Sequence, residues 1–406
     1  MKILKLSIIL CSLFVLFACE EEKHAPLFSG GAPSPVSQYD IENLPGAAAI
    51  RFKLDDPNTA YVKAVYTIEH GLTRTTRVSK FDNKLLVDGF AQSKEYSIAI
   101  YAVGKDEQES APIHVTIHPE TPPYQQVVAD INVEADWGGG KITGMNPTKA
   151  VLLIGVVKKD PATGQWVDVF ARTGVNDVMQ VFFTESQDIK FNFRGQAPVE
   201  TEFGIYTRDR WQNFSDTVSF TFEPWEEIQL PISHQNPAHF SVDLTGDAVP
   251  TSTTYPKSRM FDGLKATWAD GYYSVANNNW PKTVTIDLLK PYQLSRFKYW
   301  QNNNLYYQSA NAKHIRIWGS NTPSTDYSTW ILLGEWDDWR PSGLPPTTLN
   351  AGLTAEDLEA ARAGNDFDFP LEIPGVRYIR IETVSTWEPR TQVYFPELEF
   401  WGRPTE

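Results

Sequence analysis

The chain has 406 residues, 41% hydrophobic and 13% aromatic, with 50 Asp plus Glu against 36 Lys plus Arg for a formal charge of −14. That length supplies core material for roughly two to four domains, and acidity without any Lys/Arg run excludes nucleic acid and an anionic membrane surface as partners. The only cysteines, Cys11 and Cys19, sit in the N-terminal segment, so the rest of the chain has no disulfide to draw on and must be held by packed cores.

Lys2 and Lys5 open the chain, and an apolar run follows from Leu6 to Phe17, too short to span a bilayer comfortably as a mature helix. Leu16-Phe17-Ala18-Cys19 looks like a lipobox, which predicts a signal peptide over residues 1–18 and lipidation of Cys19. Glu20 to Val36 is rich in Pro, Gly and Ser and reads as a lipid-anchored flexible spacer, residues 19–36. The triplet Glu20, Glu21, Glu22 resembles the export signal that sends lipoproteins of Gram-negative glycan degraders to the outer surface. The resemblance implies a lipid-anchored outer-membrane protein facing the cell exterior.

Strand-like alternation follows in IRFKL, YVKAVYTI, YSIAIYAV and HVTIH, separated by Asp-Pro, His-Gly and Asp-Gly turn signals. A shift of 105 residues lays Tyr101 on Tyr206, Ser110 on Ser215, Thr116 on Thr221 and Pro119 on Pro224, with Ile113, Val115 and Ile117 over Val218, Phe220 and Phe222. An internal duplication predicts two modules of one fold, at residues 37–121 and 122–226. Leu86 followed by Tyr96 resembles the tyrosine corner of fibronectin type III domains, so both modules are expected to be immunoglobulin-like sandwiches. Pro122-Pro123 and Pro224 mark the joints, read as stiff linkers. Trp211, in a loop whose counterpart in the first module is charged, is expected to pack between domains rather than touch a glycan.

Beyond the second joint, the alternating strands place Val284, Ile286 and Leu288 on one face, then Ile315 with Ile317, Ile379 with Ile381, and Leu398 with Phe400. The motifs FDG-x3-TW from Phe261, W-x5-IDL from Trp280, I-x-I-x-G-S from Ile315 and E-L-E-F-W-G from Glu397 occur in that order. In this the segment 227–406 resembles discoidin domains, also called coagulation factor 5/8 type C or galactose-binding-like modules. The resemblance implies a jelly-roll sandwich that binds through loops at one end and does not imply catalysis. Thr354, Glu356, Asp357 and Gly364 further predict a short helical insert. The expected fold is thus all-β: two immunoglobulin-like sandwiches, then a discoidin-like jelly roll with a short helix. The whole order resembles surface lipoproteins of starch-utilisation-like glycan uptake loci.

Sugar recognition asks for flat rings to stack on C–H faces and for amide or guanidinium groups to bond hydroxyls. Three loops carry both: Tyr272, Tyr273, Asn277, Asn278 and Asn279 in the first; Trp300, Asn302, Asn303, Asn304, Tyr306 and Tyr307 in the second; Trp387, Arg390 and Tyr394 in the third. Tyr272, Tyr306, Tyr307 and Trp387 are expected to be exposed, whereas Trp280 and Trp300 fit a core position equally well. Trp336, Trp339 and Arg340 form another aromatic-basic loop, in which Asp337 and Asp338 either cap a turn or pair with Arg340. The discoidin resemblance also implies a structural calcium ion, with Asp262, Thr267 and Glu397 at the matching positions and Leu264 where the family often has a ligand.

No HExxH, GxSxG, P-loop or dinucleotide motif occurs, and His234 with His239 lacks the partners of a metal site, so both read as solvated linker residues. The expected function is non-catalytic: capture of oligo- or polysaccharide by the last domain, beside outer-membrane glycan uptake proteins. An adhesive or structural lipoprotein whose discoidin-like loops bind a protein partner is the alternative.

Overall fold

Alternating apolar residues become paired strands, as their period requires. The computed structural model describes residues 30–169, 181–265, 270–345 and 350–405; Cys19 and Thr267 lie outside the described residues. Among the described residues no helix is long and apolar enough to cross a membrane. The chain gathers into two compact units. The described parts of one are residues 30–132, 143–169, 181–190 and 203–220; those of the other are 133–142, 191–202 and 221–405.

In the first unit, a three-stranded antiparallel sheet runs Gln38–Leu44, Ala47–Lys53, Lys84–Asp88, and a four-stranded one runs Thr73–Ser79, Thr59–Thr67, Tyr96–Gly104, Ile113–Ile117. Ile50, Leu85 and Val87 from one sheet meet Val62, Ala64, Ile98, Ile100 and Val115 from the other in a single core. Each such fully buried Val, Leu or Ile is worth roughly 1.5–3 kcal/mol. Tyr66 makes a hydroxyl tie of the kind expected of Tyr96: its Oη accepts from the Asp88 N–H (3.1 Å) and donates to the Asp88 carbonyl (3.2 Å). Tyr96 packs its ring on Phe90, 4.5 Å between centroids.

The joint at Pro122-Pro123 is not an extended linker. Pro123 stands at the first position of a helix, Pro123–Asp130, where its missing N–H costs nothing and its fixed φ suits the turn. Tyr124 from this helix donates to the Ala91 carbonyl (2.7 Å). Trp211 lies against the first module's core, over Gly89, whose φ of +97° and lack of a side chain let the indole approach; Arg74 and Arg210 sit on the ring. The strands of the repeat are a sheet ordered Trp166–Asp168, Leu152–Lys159, Thr201–Asp209, Val218–Phe222, with Val181–Thr184 also on Leu152–Lys159. A second sheet is ordered Asp188–Phe193, Gly139–Met145, Asn132–Asp136.

The C-terminal domain is built on a seven-stranded sheet ordered Ile228–Gln229, Glu397–Pro404, Lys282–Trp300, Val376–Thr386, Ala312–Ser320, Ile331–Asp337, with Asn365–Asp368 also on Lys282–Trp300. Val284, Ile286, Leu288, Ile315, Ile317, Ile379, Ile381, Leu398 and Phe400 all point into one core. Phe297 sits among its aromatic rings, 4.9 Å from Phe367 and 5.0 Å from Trp336. The two-residue strands Tyr272–Tyr273 and Tyr394–Phe395 pair separately and bring the loops together. The predicted helix is present as Ala355–Ala363, with a capping box between Thr354 and Asp357 and Gly364 at its end.

Candidate functional site

The strand pair Tyr272–Tyr273 with Tyr394–Phe395 decides which rings reach the loop end. Successive side chains of a strand face opposite ways, so Tyr272 goes inward, fully buried, its hydroxyl donating to the Ala248 carbonyl (2.6 Å). Tyr273 goes the other way and meets Tyr394 edge-on at 5.5 Å and Tyr255 at 6.2 Å.

Backbone bonds tie the three aromatic-amide loops to one another. Asn277 N–H donates to Thr391 O (3.1 Å) and Ser274 N–H to Val393 O (3.1 Å), joining the first loop to the third; Tyr394 N–H donates to Ala310 O (3.0 Å), joining the third to the second. Inside the second loop, Asn311 accepts from the Asn302 N–H (2.9 Å) and donates to the carbonyls of Leu305 (2.7 Å) and Gln308 (2.9 Å). The chain is wound around this one buried amide. What results is a concave pocket of about 180 Å³ lined by Tyr273, Asn302, Leu305, Ser309, Asn311 and Tyr394. Each predicted loop contributes to it. Ser309 and Asn311 were not foreseen, since a small residue and a buried amide within a polar loop carry no periodic signal.

The other named side chains divide. Asn278 and Asn304 are exposed, Trp387 is half-buried, and Arg390 is exposed and paired with Glu388 at 2.6 Å. Against expectation, Tyr272, Tyr306 and Tyr307 are turned inward, and Trp300 takes the core alternative. For Tyr306, Tyr307 and Trp300 the helical insert is the physical reason. It lays Ala361 against Tyr306 and Tyr307; the Tyr307 hydroxyl donates to the Asp357 carbonyl (3.2 Å) and the Trp300 indole N–H to the Arg362 carbonyl (3.2 Å). Burial pushes the phenols of Tyr272, Tyr306 and Tyr307 up from their ordinary value. Asn302 is buried too, yet it lines the pocket, with its Oδ1 accepting from the Asn304 N–H at 3.0 Å.

Arg340 does not pair with its neighbours in sequence. Its Nε donates to Asp357 Oδ2 (2.8 Å) and its Nη2 to the Gly352 carbonyl (2.7 Å), inside the domain. Asp338 instead accepts from the Gln301 amide (2.6 Å), the Trp387 indole (2.8 Å) and the Asn365 amide. Burial raises the Asp338 carboxyl to about 7, against the pull of those donors. Trp336 packs on the core while Trp339 is exposed.

Two of the three calcium positions come together. Glu397, buried in the last strand, accepts from the Gly263 N–H (2.9 Å) beside Asp262; burial lifts Glu397 to about 8 and raises Asp262 as well. Two crowded, desolvated carboxyls would supply part of the roughly six to eight oxygens that a calcium ion takes. Among the described residues no group of three or more His, Cys, Asp or Glu is arranged to hold a metal ion. His239 is buried, its Nδ1 2.7 Å from the Asp287 carbonyl, and so is no solvated linker residue, whereas His234 is exposed.

Three family models match the chain in succession: a domain of unknown function (DUF4959) over residues 33–119, a domain of unknown function (DUF5126) over residues 120–233, and a further domain of unknown function over residues 261–402. Among solved structures the chain is similar to the SusE-like protein BT2857, at 26% identity over 70% of this chain and 100% of that one, with a TM-score of 0.42. It is also similar to the C-terminal domain of a chitobiase from Bacteroides fragilis, at 14% identity over 39% of this chain and 91% of that one, TM-score 0.28. A third is the GH31 CBM32-2 domain bound to GalNAc, at 15% identity over 41% of this chain and 99% of that one, TM-score 0.27. No curated protein matches.

Proposed function

We propose that the chain is a non-catalytic, surface-displayed lipoprotein that binds oligo- or polysaccharide at the loop end of its C-terminal domain and holds it for neighbouring outer-membrane uptake proteins. One observation carries the binding reading: three loops far apart in sequence are stitched by backbone hydrogen bonds around a single concave pocket that presents the half-buried Tyr273 ring, with buried Tyr394, Asn302 and Asn311 making up the wall around it. Half-buried Trp387 and exposed Asn278, Asn304 and Arg390, from the same three loops, extend the set of rings and donors. Display rests on the lipobox-like Cys19 and the acidic residues after it. Weak contacts to single sugars gain from many copies on one membrane and many repeats on one polymer. A calcium ion at Asp262 and Glu397 would brace the start of the domain against its last strand.

A glycan array on the purified chain tests the site. Selective binding that falls about tenfold in Tyr273→Ala, a loss of stacking energy near 1.4 kcal/mol, is the expected result. A protein that binds no glycan but co-purifies with an outer-membrane partner sinks it in favour of the adhesive reading. Calcium added to chelated protein is expected to raise the melting temperature, and no shift removes the ion.

A further inference from the structure

A larger cavity lies on the outer face of the same domain's sheet. Ile315, Ile317, Ile379 and Ile381 point into the core, so their neighbours in the strands, Trp318, Arg380 and Glu382, point away from it. Register sets Trp318 beside Arg380, and Glu382 beside Thr283 of the long strand. Trp280, Tyr327 and Trp330 from the surrounding loops complete walls enclosing about 520 Å³, within the range of small-molecule sites and well above the rim pocket.

The polar groups here are placed, not scattered. Arg380 lies over the Tyr327 ring, 3.6 Å from its centre, and its Nη2 donates to Thr283 Oγ1 (2.9 Å). Its Nε is buried, 3.4 Å from Asp247 Oδ1 but without a hydrogen-bond partner. The Trp318 indole donates to Glu382 (2.5 Å). Gly246 passes close above, where a side chain would come within 3.8 Å of Arg380.

Charge narrows the ligand class. Asp247 and Glu382 oppose an anion, while the guanidinium among the rings opposes the cation that an aromatic cage would otherwise take. A neutral polyol with flat C–H faces satisfies both conditions, stacking on indole and bonding to guanidinium and carboxylate. We infer that this cavity is a second oligosaccharide site, with Trp280 as the stacking ring and Arg380 with Glu382 as the hydroxyl-binding pair. The first loop would then serve two sites, sending Tyr273 to the rim and Trp280 to the cavity. The inference rests on the domain being a glycan binder, and the test below separates the two.

The full chain is run through native gels containing soluble starch, xyloglucan, galactomannan or mixed-linkage β-glucan. Trp280→Ala and Glu382→Gln are expected to weaken retention by about tenfold each, at unchanged melting temperature, while Trp280→Phe keeps most of it. Combining Trp280→Ala with Tyr273→Ala is expected to multiply the losses, as for independent sites. Should both cavity variants be retained like wild type while Tyr273→Ala is not, the cavity is overturned and the rim stands. Wild type retained by none of the four polymers removes both.

Discussion

Asp357 is fully buried, and its surroundings decide its charge. Burial pushes its carboxyl up, but the N–H groups of Thr354 and Ser342 and the Arg340 guanidinium pull harder, holding it well below the usual carboxylate range. One side chain therefore starts the helical insert by accepting from the Thr354 N–H (3.0 Å), anchors the Ser342 turn and neutralises an arginine. Removing one partner of a buried pair leaves the other charge uncompensated, so Asp357→Ala is expected to cost about 3–5 kcal/mol in denaturant unfolding of the C-terminal domain. A loss below about 1 kcal/mol, the range of exposed pairs, would mean that Arg340 finds water instead. The sequence shows the cap readily, because Thr354 and Asp357 stand three apart at a helix start. It hid the ion pair, since Arg340 lies among nearer carboxylates, and only the fold brings a residue 17 positions away closer than Asp338 two positions away.

At the scale of the element, the duplication is kept in hydrogen bonds as well as in sequence. Tyr96–Gly104 and Ile113–Ile117 recur 105 residues later as Thr201–Asp209 and Val218–Phe222. Between each pair a serine makes the same latch. Ser110 Oγ accepts from the Ala102 N–H (3.0 Å) and donates to the Ala111 carbonyl (2.9 Å); Ser215 Oγ accepts from the Thr207 N–H (2.9 Å) and donates to the Asp216 carbonyl (2.8 Å). Ser110 is buried and Ser215 only partly so. The Ala102 and Thr207 donors are both buried, so stripping either costs about 1–3 kcal/mol unless water takes the place of the lost hydroxyl, as it can only beside half-exposed Ser215. Urea unfolding is therefore expected to report a larger loss for Ser110→Ala than for Ser215→Ala, and equal losses would deny the burial argument. Strands were legible because period two survives any tertiary context. Ring direction in the loops was not: Tyr272 and Tyr273 are adjacent and alike, and a two-residue strand that no pattern announces sends one inward. The outer-face cavity went unseen for a related reason. Trp318, Arg380 and Glu382 are separated polar-face positions in sequence, and register alone gathers them.

For the molecule as a whole, the formal charge of −14 suggests a protein whose carboxylates simply repel at high pH. The buried acids give that trend a local origin. Asp338, raised by burial to about 7, holds its proton in the folded state at pH values where the unfolded chain, near 3.8, has lost it. Its contribution to stability is therefore fully present below about pH 4 and is lost as pH rises through 7. Glu397, raised to about 8, has the same sign in calcium-free buffer, and so does His314, raised by its bonds to Asp337 and Glu335. Asp357 and Asp287, both depressed, act oppositely, but their contribution disappears only as pH falls below the ordinary carboxylate range. Between pH 5 and 8.5 the melting temperature is thus expected to fall by several degrees. Asp338→Asn isolates one cause. Its amide stays neutral throughout and, with the nitrogen turned toward Asn365 and the Asn365 amide flipped to accept from it, keeps an oxygen for the Trp387 indole. The variant should melt near wild type at pH 5, gain on it at pH 8.5, and leave the Glu397 and His314 part of the slope in place. A variant that parallels wild type across the whole range would show that the three donors keep Asp338 ionised in spite of its burial.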